Sequence, residues 1–556
     1  MAPRLWNDDV LLHILDYLAP SSFPATREDR PGLTALARCA RSSKALCDPA
    51  LRVLWRQVDS LSVVTSRAAA LTSTLVAVKS CHRLTQLLLT QDLVDEIEDS
   101  QFSRVRYYAS FVKKLSHRAD LDRIPPAVLG RFNYLLKGAV LFHRLLNFHW
   151  HQRVLLDYVD MLSLVPPTLR ELTLGGILSS GTDAMALRMI DHHSVFVNII
   201  NQVAPQLNAL TLSGCIPFSS ILGLGSLRNL QSLRVINCSS HVLQPTHVPF
   251  LQSCALMDLK EFCINLTGDS DAFEPDTFEC GYSTLRTLRV HGSLSLITRF
   301  LSHVSSPDLA AFSAFVSRPE NWQEFRDVYS TLTTQFSSSL RSISISGPWT
   351  GCAQTLESVG PLLTLPRLEV INLVGCGVAT SLSERDVQAM AHAWPRLQRL
   401  TLLYNALSRS LPIWSLRAFA ERCPDLHTLI LSSIDLRTAS SPAPVGTDSS
   451  PFTSNHMLKH MWLTGDVEAN GVNAIHVARA IDSIFPSLEL GPFDCPWHPT
   501  WNARSFRRTL ECLQTAKEER RLERAAGVTR VAVAPSLSAR VPIITPPVGV
   551  LSEVQG

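Results

Sequence analysis

The chain has 556 residues, 46% of them hydrophobic, and a formal net charge of +3. Nothing in that near-neutral balance argues for a nucleic-acid binder or a protein held on an anionic membrane by charge. No apolar run reaches the roughly 18 residues of a spanning helix. A single compact core is not expected at this length, whereas an array with local contacts grows freely.

The first segment is helical in pattern. LWNDDVLLHILDYLAP places Val10, Leu11, Ile14, Leu15 and Leu18 on one helical face. Asn7 or Asp8 can cap its start and Pro20 ends it. Asp8, Asp9, His13 and Asp16 interrupt the apolar residues, so it does not read as a signal peptide. SSFPATREDRPG (21–32) reads as a loop, and LTALARCARSSKAL (33–46) as a second amphipathic helix with Leu36 on its apolar face. DPALRVLWRQVDSL (48–61) predicts a third, capped by Asp48 with Pro49 at its first position and burying Leu51, Leu54, Trp55 and Val58. Three short helices cannot hide that much apolar surface alone, which points to a partner groove. A helical linker is expected over 62–104.

From about residue 105 a degenerate phrase, P-x-L-x-x-L-x-L, recurs. It reads PTLRELTL, PQLNALTL, PRLEVINL, PRLQRLTL and PDLHTLIL. From Leu340 the opening leucines stand at 340, 368, 397, 426, 458 and 488, in steps of 28, 29, 29, 32 and 30 residues. A fixed period of this size marks a solenoid. In L-x-x-L-x-L the second and third leucines share one side of a strand and face the core. The residues between them line the inner wall: Thr173, Thr211, Arg234, Cys263, Arg289, Ser344, Asn372, Thr401, Ile430 and Trp462. Segments such as 383–394 and 413–423 have helical spacing and stop before a proline. Degenerate early units are expected at Leu145, Phe148 and Trp150, and at Val112 with Leu115.

Strand plus helix per repeat resembles the ribonuclease-inhibitor-like leucine-rich repeats. The resemblance spans about 105–490 and implies an α/β solenoid. That family often places Asn or Cys three residues after the third leucine, as at Cys215, Cys238, Cys376 and Asn405, while Ile177 and Ile434 depart from it. The N-terminal order of Leu5, Asp8 and Asp9, then Val10, Ile14 and Leu18, then LARCARSSKAL, then Trp55 resembles the F-box, a small all-α three-helix domain. The WRQVDSL exit is similar to F-boxes of mushroom-forming fungi. Trp6 stands where the family usually has proline, and the loop between Leu18 and Leu33 is longer.

The F-box resemblance implies a domain over 1–61 that binds the Skp-type adaptor of a cullin-based SCF ubiquitin ligase, with the repeats capturing a protein substrate. Leu5, Val10, Ile14, Leu15, Leu18, Leu36, Leu54 and Trp55 are then divided between the small core and the adaptor groove. On the inner wall the candidate substrate contacts are Arg234, Arg289, Asn372, Thr401 and Trp462, the arginines for their forked donors and Trp462 as an aromatic anchor. The alternative is a leucine-rich scaffold with no ubiquitin role, whose N-terminal helices cap the solenoid.

Two insertions break the array, an acidic one at 267–280 and a Ser/Pro-rich one at 438–454. A cap and helix are expected over 491–526 and a disordered tail over 527–556. Enzymatic chemistry is not expected: there is no G-x-S-x-G elbow and no phosphate-binding loop. His192 with His193, His149 with His151, and Cys495 with His498 each fall short of a four-ligand zinc site, so no metal or cofactor is expected. Thirteen cysteines, an odd number with no short-spaced framework, read as reduced thiols of a cytoplasmic or nuclear protein.

Overall fold

The computed structural model describes residues 8–20, 29–60, 99–118, 133–152, 161–162, 164–176, 199–214, 224–236, 247–266, 281–317, 322–347, 359–375, 382–403, 411–432, 434–435, 438–439, 458–464, 474–485, 488 and 515. Leu5, the two insertions apart from 438 and 439, the Asn and Cys positions after the third leucines, His192, His193, Cys495, His498 and nearly all of the C-terminal region lie outside them.

Three helices open the chain, α1 (Asp8–Asp16), α2 (Arg30–Ser42) and α3 (Lys44–Leu54), followed by the two-residue strand β1 (Gln57–Val58). Helix α4 (Asp99–Ala109) precedes β2 (Lys114–Arg118), β3 (Asn147–Gln152), β4 (Glu171–Gly176), β5 (Ala209–Ser213) and β6 (Ser232–Ile236). Then come β7 (Glu261–Asn265), β8 (Thr287–Gly292), β9 (Ala311–Val316), β10 (Ser342–Ser346), β11 (Val370–Val374) and β12 (Arg399–Leu403). The last strands are β13 (Leu411–Pro412), β14 (Thr428–Ser432), β15 (Ile434–Asp435) and β16 (His460–Thr464). Helices at His247–Ala255, Leu294–His303, Trp322–Phe336, Glu384–Ala393 and Arg417–Arg422 lie between strands.

Fourteen strands, all but β13 and β15, form one sheet in which neighbours in space are neighbours in the chain. Each of the pairings is parallel. Chain order without a crossover means that every unit stacks on the one before it, which is a solenoid-like α/β repeat.

The register carries the leucine pattern. Leu210, Leu233, Phe262, Leu288 and Phe312 lie side by side across β5–β9, and Leu212, Val235, Ile264, Val290 and Ala314 form the parallel row two residues on. All ten are buried in one large core. The opening leucines Leu207, Leu230, Leu259, Leu285, Leu309, Leu340, Leu368, Leu397 and Leu426 form a third buried row. Each such side chain contributes roughly 1.5–3 kcal/mol through burial.

A second periodic device is polar. The carbonyl after each opening residue accepts two N–H groups from the next unit. Lys260 O takes those of Arg286 (2.9 Å) and Thr287 (3.0 Å), Arg286 O takes Ala310 and Ala311, and Arg341 O takes Glu369 and Val370. The strand starts are thereby stitched without any free backbone donor at the joint. Hydroxyls before the leucine add to it: Thr284 donates to Leu259 O (3.0 Å) and Ser306 to Leu285 O (2.6 Å).

The third helix differs from the sequence reading. It spans Lys44–Leu54 and not 48–61, because Ser43 is extended and its hydroxyl accepts the N–H of Leu46. Asp48 and Pro49 therefore lie inside the helix. Trp55, at φ −96 and ψ 0, ends it, and Gln57–Val58 pair with Lys114–Leu115 as the first strand of the sheet.

Candidate functional site

Two surfaces stand out. The first is the outer face of α1. Leu11 and Leu15 point inward and are buried, while Val10 is 49% exposed, Ile14 50% and Tyr17 81%. The offsets of four and three residues put these three on one stripe. They are exposed although the neighbouring face of the same helix is packed, so the apolar sector of α1 is wider than its own core covers.

What α1 packs on is a core of its own. Leu15, Leu36, Ala50 and Val53 form a cluster separate from the sheet's core, with Leu12, Leu18, Cys39, Ala40 and Leu54 half-buried against it. Asp16 pairs with Arg56 at 2.8 Å, tying the end of α1 to the residue that begins the array. Gly32 lies under the carbonyl of Leu18: a Cβ there would stand 2.5 Å from that oxygen, so the start of α2 meets the end of α1 only because no side chain intervenes. Between α3 and α4, the Tyr107 hydroxyl donates to Asp48 Oδ1 at 2.6 Å. Burial, and next this bond to a carboxylate, push the phenol up to about 12.

The structure thus divides the eight candidate adaptor residues. Val10 and Ile14 are exposed, Leu15 and Leu36 are buried in the small core, and Leu18 and Leu54 are half-buried. Trp55 belongs to the sheet's core, and Leu5 lies outside the described residues. Tyr17 is the residue that sequence reasoning missed. Its signal was present, since it continues the Val10–Ile14 stripe by three residues.

The second surface is the face of the sheet opposite the core. Thr173, Thr211, Arg234, Cys263, Arg289, Ser313, Ser344, Asn372, Thr401 and Ile430 stand in one continuous row, and Trp462 is in register with Ile430. Arg234 pairs with Glu261 at 3.3 Å. Arg289 is exposed. Between them Cys263 is buried, and that burial raises its thiol pKa, partly opposed by Arg289 and Arg234. Asn372 is half-buried and donates to Ser344 at 3.0 Å, and Thr401 is buried. Two residues beyond Arg289, His291 packs against Phe315 on the next strand, ring centroids 5.5 Å apart. Phe315 is 49% exposed. It was missed because its unit, LAAFSAFV, replaces two leucines of the phrase with Phe312 and Ala314.

His149 and His151 share this open face on β3, and His151 lies across Gly175, where a Cβ would clash with its ring. Burial, then His151 and Lys114, hold His149 below the usual imidazole range. Among the described residues no group of three or more His, Cys, Asp or Glu is placed to hold a metal ion. No described helix is long and apolar enough to cross a membrane. The described cysteines, Cys39, Cys47, Cys254, Cys263 and Cys423, form no disulfide with one another.

No family model matches the chain, and no curated protein matches it. Among solved structures it is similar to the crystal structure of the Rad7 and Elc1 complex in yeast, at 16% identity over 72% of this chain and 98% of that one, with a TM-score of 0.34. A likeness of that strength carries no argument about fold or function.

Proposed function

We propose that this chain is the substrate-recognition subunit of an SCF-type cullin ubiquitin ligase. In this reading α1–α3 are an F-box that binds a Skp-type adaptor. The repeats are ribonuclease-inhibitor-like leucine-rich repeats that bind a protein substrate in the cytoplasm or nucleus. The chain itself is not an enzyme and needs no cofactor, because the ubiquitin chemistry belongs to its partners. The observation that carries the reading is the stripe of Val10, Ile14 and Tyr17 on a helix whose other face is already packed. A contiguous apolar stripe left outside a packed core marks an interaction surface, whereas single exposed apolar residues would not.

The test uses the purified full chain, a Val10→Asp/Ile14→Asp double variant and a purified Skp-type adaptor in pulldown and titration calorimetry. Circular dichroism checks that both chains are folded. Stoichiometric binding by the wild type that the folded variant loses is the expected result. A folded wild-type chain that does not bind the adaptor would sink the reading.

One observation favours a second reading, a repeat scaffold capped by its N-terminal helices. Trp55 and Val58 lie in the sheet's core and β1 is its first strand, so the helical unit is continuous with the array. A terminal repeat needs such a cover. This reading becomes the better one if the adaptor does not bind.

A further inference from the structure

Among the described residues of the open face from β6 to β10, the side chains with full charges are Arg234, Glu261 and Arg289. Arg234 and Glu261 neutralise each other. Arg289 is left exposed with no described carboxylate in ion-pair reach, and Phe315 is exposed one strand away. Strand spacing puts these two Cα atoms about 5 Å apart across the sheet and about 6.6 Å along it. Around them the face is small and polar: Ser313, Ser344 and Ser346 on the next two strands.

We infer that this patch binds an extended acidic peptide, one carboxylate forking onto the Arg289 guanidinium and an apolar side chain one or two residues away covering Phe315. The inference rests on the recognition role proposed for the sheet. A partner that buried Arg289 without a counter-charge would leave a desolvated cation, so the occupant must bring an anion. Guanidinium geometry matches a carboxylate with two parallel hydrogen bonds. Nucleic acid fits poorly, since it requires several cations along a phosphate track and between β6 and β10 this face offers two, one of them already paired with Glu261. The ring of Phe315 supplies the apolar area, braced from the side by His291. Burial, and next Arg289 itself, hold His291 toward its neutral form, so it adds no second charge.

The experiment selects a displayed library of random twelve-residue peptides on the purified full chain, without adaptor, so that failure here is separable from failure of adaptor binding. Parallel selections use Arg289→Glu and the milder Arg289→Gln, each checked by circular dichroism. The expected result is enrichment of an Asp or Glu with an apolar residue one or two positions away. A synthesised winner should bind at least about tenfold more weakly to Arg289→Gln and weaken further as salt rises. No enrichment of acidic residues, or the same peptides from all three proteins, overturns the inference. A fourth selection uses a chain in which the five acidic residues of 267–280 are changed to their amides. Acidic peptides from that variant alone would mean that the chain's own segment is the occupant, which also overturns it.

Discussion

Trp55 stacks on Tyr108, ring centroids 4.8 Å apart and planes 23° apart. The pair joins the end of α3 to α4 at the threshold of the sheet. The next residue, Arg56, offers its carbonyl to the N–H groups of Lys113 and Lys114, both at 2.9 Å, which is the double acceptance repeated down the array. Trp55 therefore occupies the place that an opening leucine holds in later units. Its truncation to Ala should cost about 3–5 kcal/mol, as for a buried aromatic, read from urea unfolding of the full chain. Loss of adaptor binding in that variant says nothing about contact, because the residue is inside.

The sheet was legible because its signal is redundant. Leu285, Leu288 and Val290 repeat a spacing that also occurs at Leu340, Ile343 and Ile345, so parity alone placed Arg289 on the open face. The unit at Leu309, Phe312 and Ala314 was not legible. Its burial is the same, but a phenyl ring and a methyl fill the space that two leucines fill elsewhere, and a letter pattern does not register conserved volume. The start of the array at β1 was hidden for another reason. Leu51, Leu54, Trp55 and Val58 have helical spacing, and the break at Trp55 comes from pairing with β2, a contact made 57 residues away. Which apolar residues of α1 face out was not readable either, because Val10, Leu11, Ile14 and Leu15 form one broad apolar sector and only tertiary packing decides which part of it is covered.

That last point can be tested on stability alone. Val10→Ser and Ile14→Ser remove exposed groups and should each shift unfolding by no more than about 0.5 kcal/mol. Leu15→Ala removes part of the small core and should cost about 2–5 kcal/mol. Equal losses at all three, measured by thermal melting, would show that the stripe is already covered within the chain.

Gly32 gives a test whose sign is unusual. Gly→Ala inside a helix normally stabilises by about 0.5–1 kcal/mol, since glycine loses more freedom on folding. At Gly32 the added Cβ would stand 2.5 Å from the Leu18 carbonyl, a backbone atom that yields only if α1 moves. Overpacking of that kind costs about 1–3 kcal/mol, so Gly32→Ala should destabilise. Gly225→Ala, where the nearest atoms stand at ordinary contact distances of 3.8 and 3.9 Å, should be neutral or slightly stabilising. If both substitutions raise the melting temperature, α1 and α2 do not meet at the Leu18–Gly32 contact.

Stability should also fall at both ends of the pH scale, for opposite reasons. Burial lowers the pKa of His149, His291 and His427 from 6.5. The unfolded chain then binds protons that the folded chain refuses, so stability rises with pH through this range. The contribution is complete above about 6.5 and is lost as pH falls through the folded values. At the alkaline end, burial raises Cys423 from 9.0 to about 12, with Arg422 opposing, and Tyr107 from 10.0 to about 12. Here the folded chain keeps protons that the unfolded chain releases, so stability is complete below about 9 and declines as pH climbs toward 12. The Cys423 thiol also lies within hydrogen-bond reach of the Trp394 carbonyl, at 3.4 Å, and the thiolate could not make that contact. Urea midpoints of the full chain should therefore form a plateau between about pH 6.5 and 9. His149→Gln should flatten the acid shoulder, and Cys423→Ala the alkaline one. An acid shoulder unchanged in His149→Gln would mean that this imidazole is as hydrated in the fold as in the open chain.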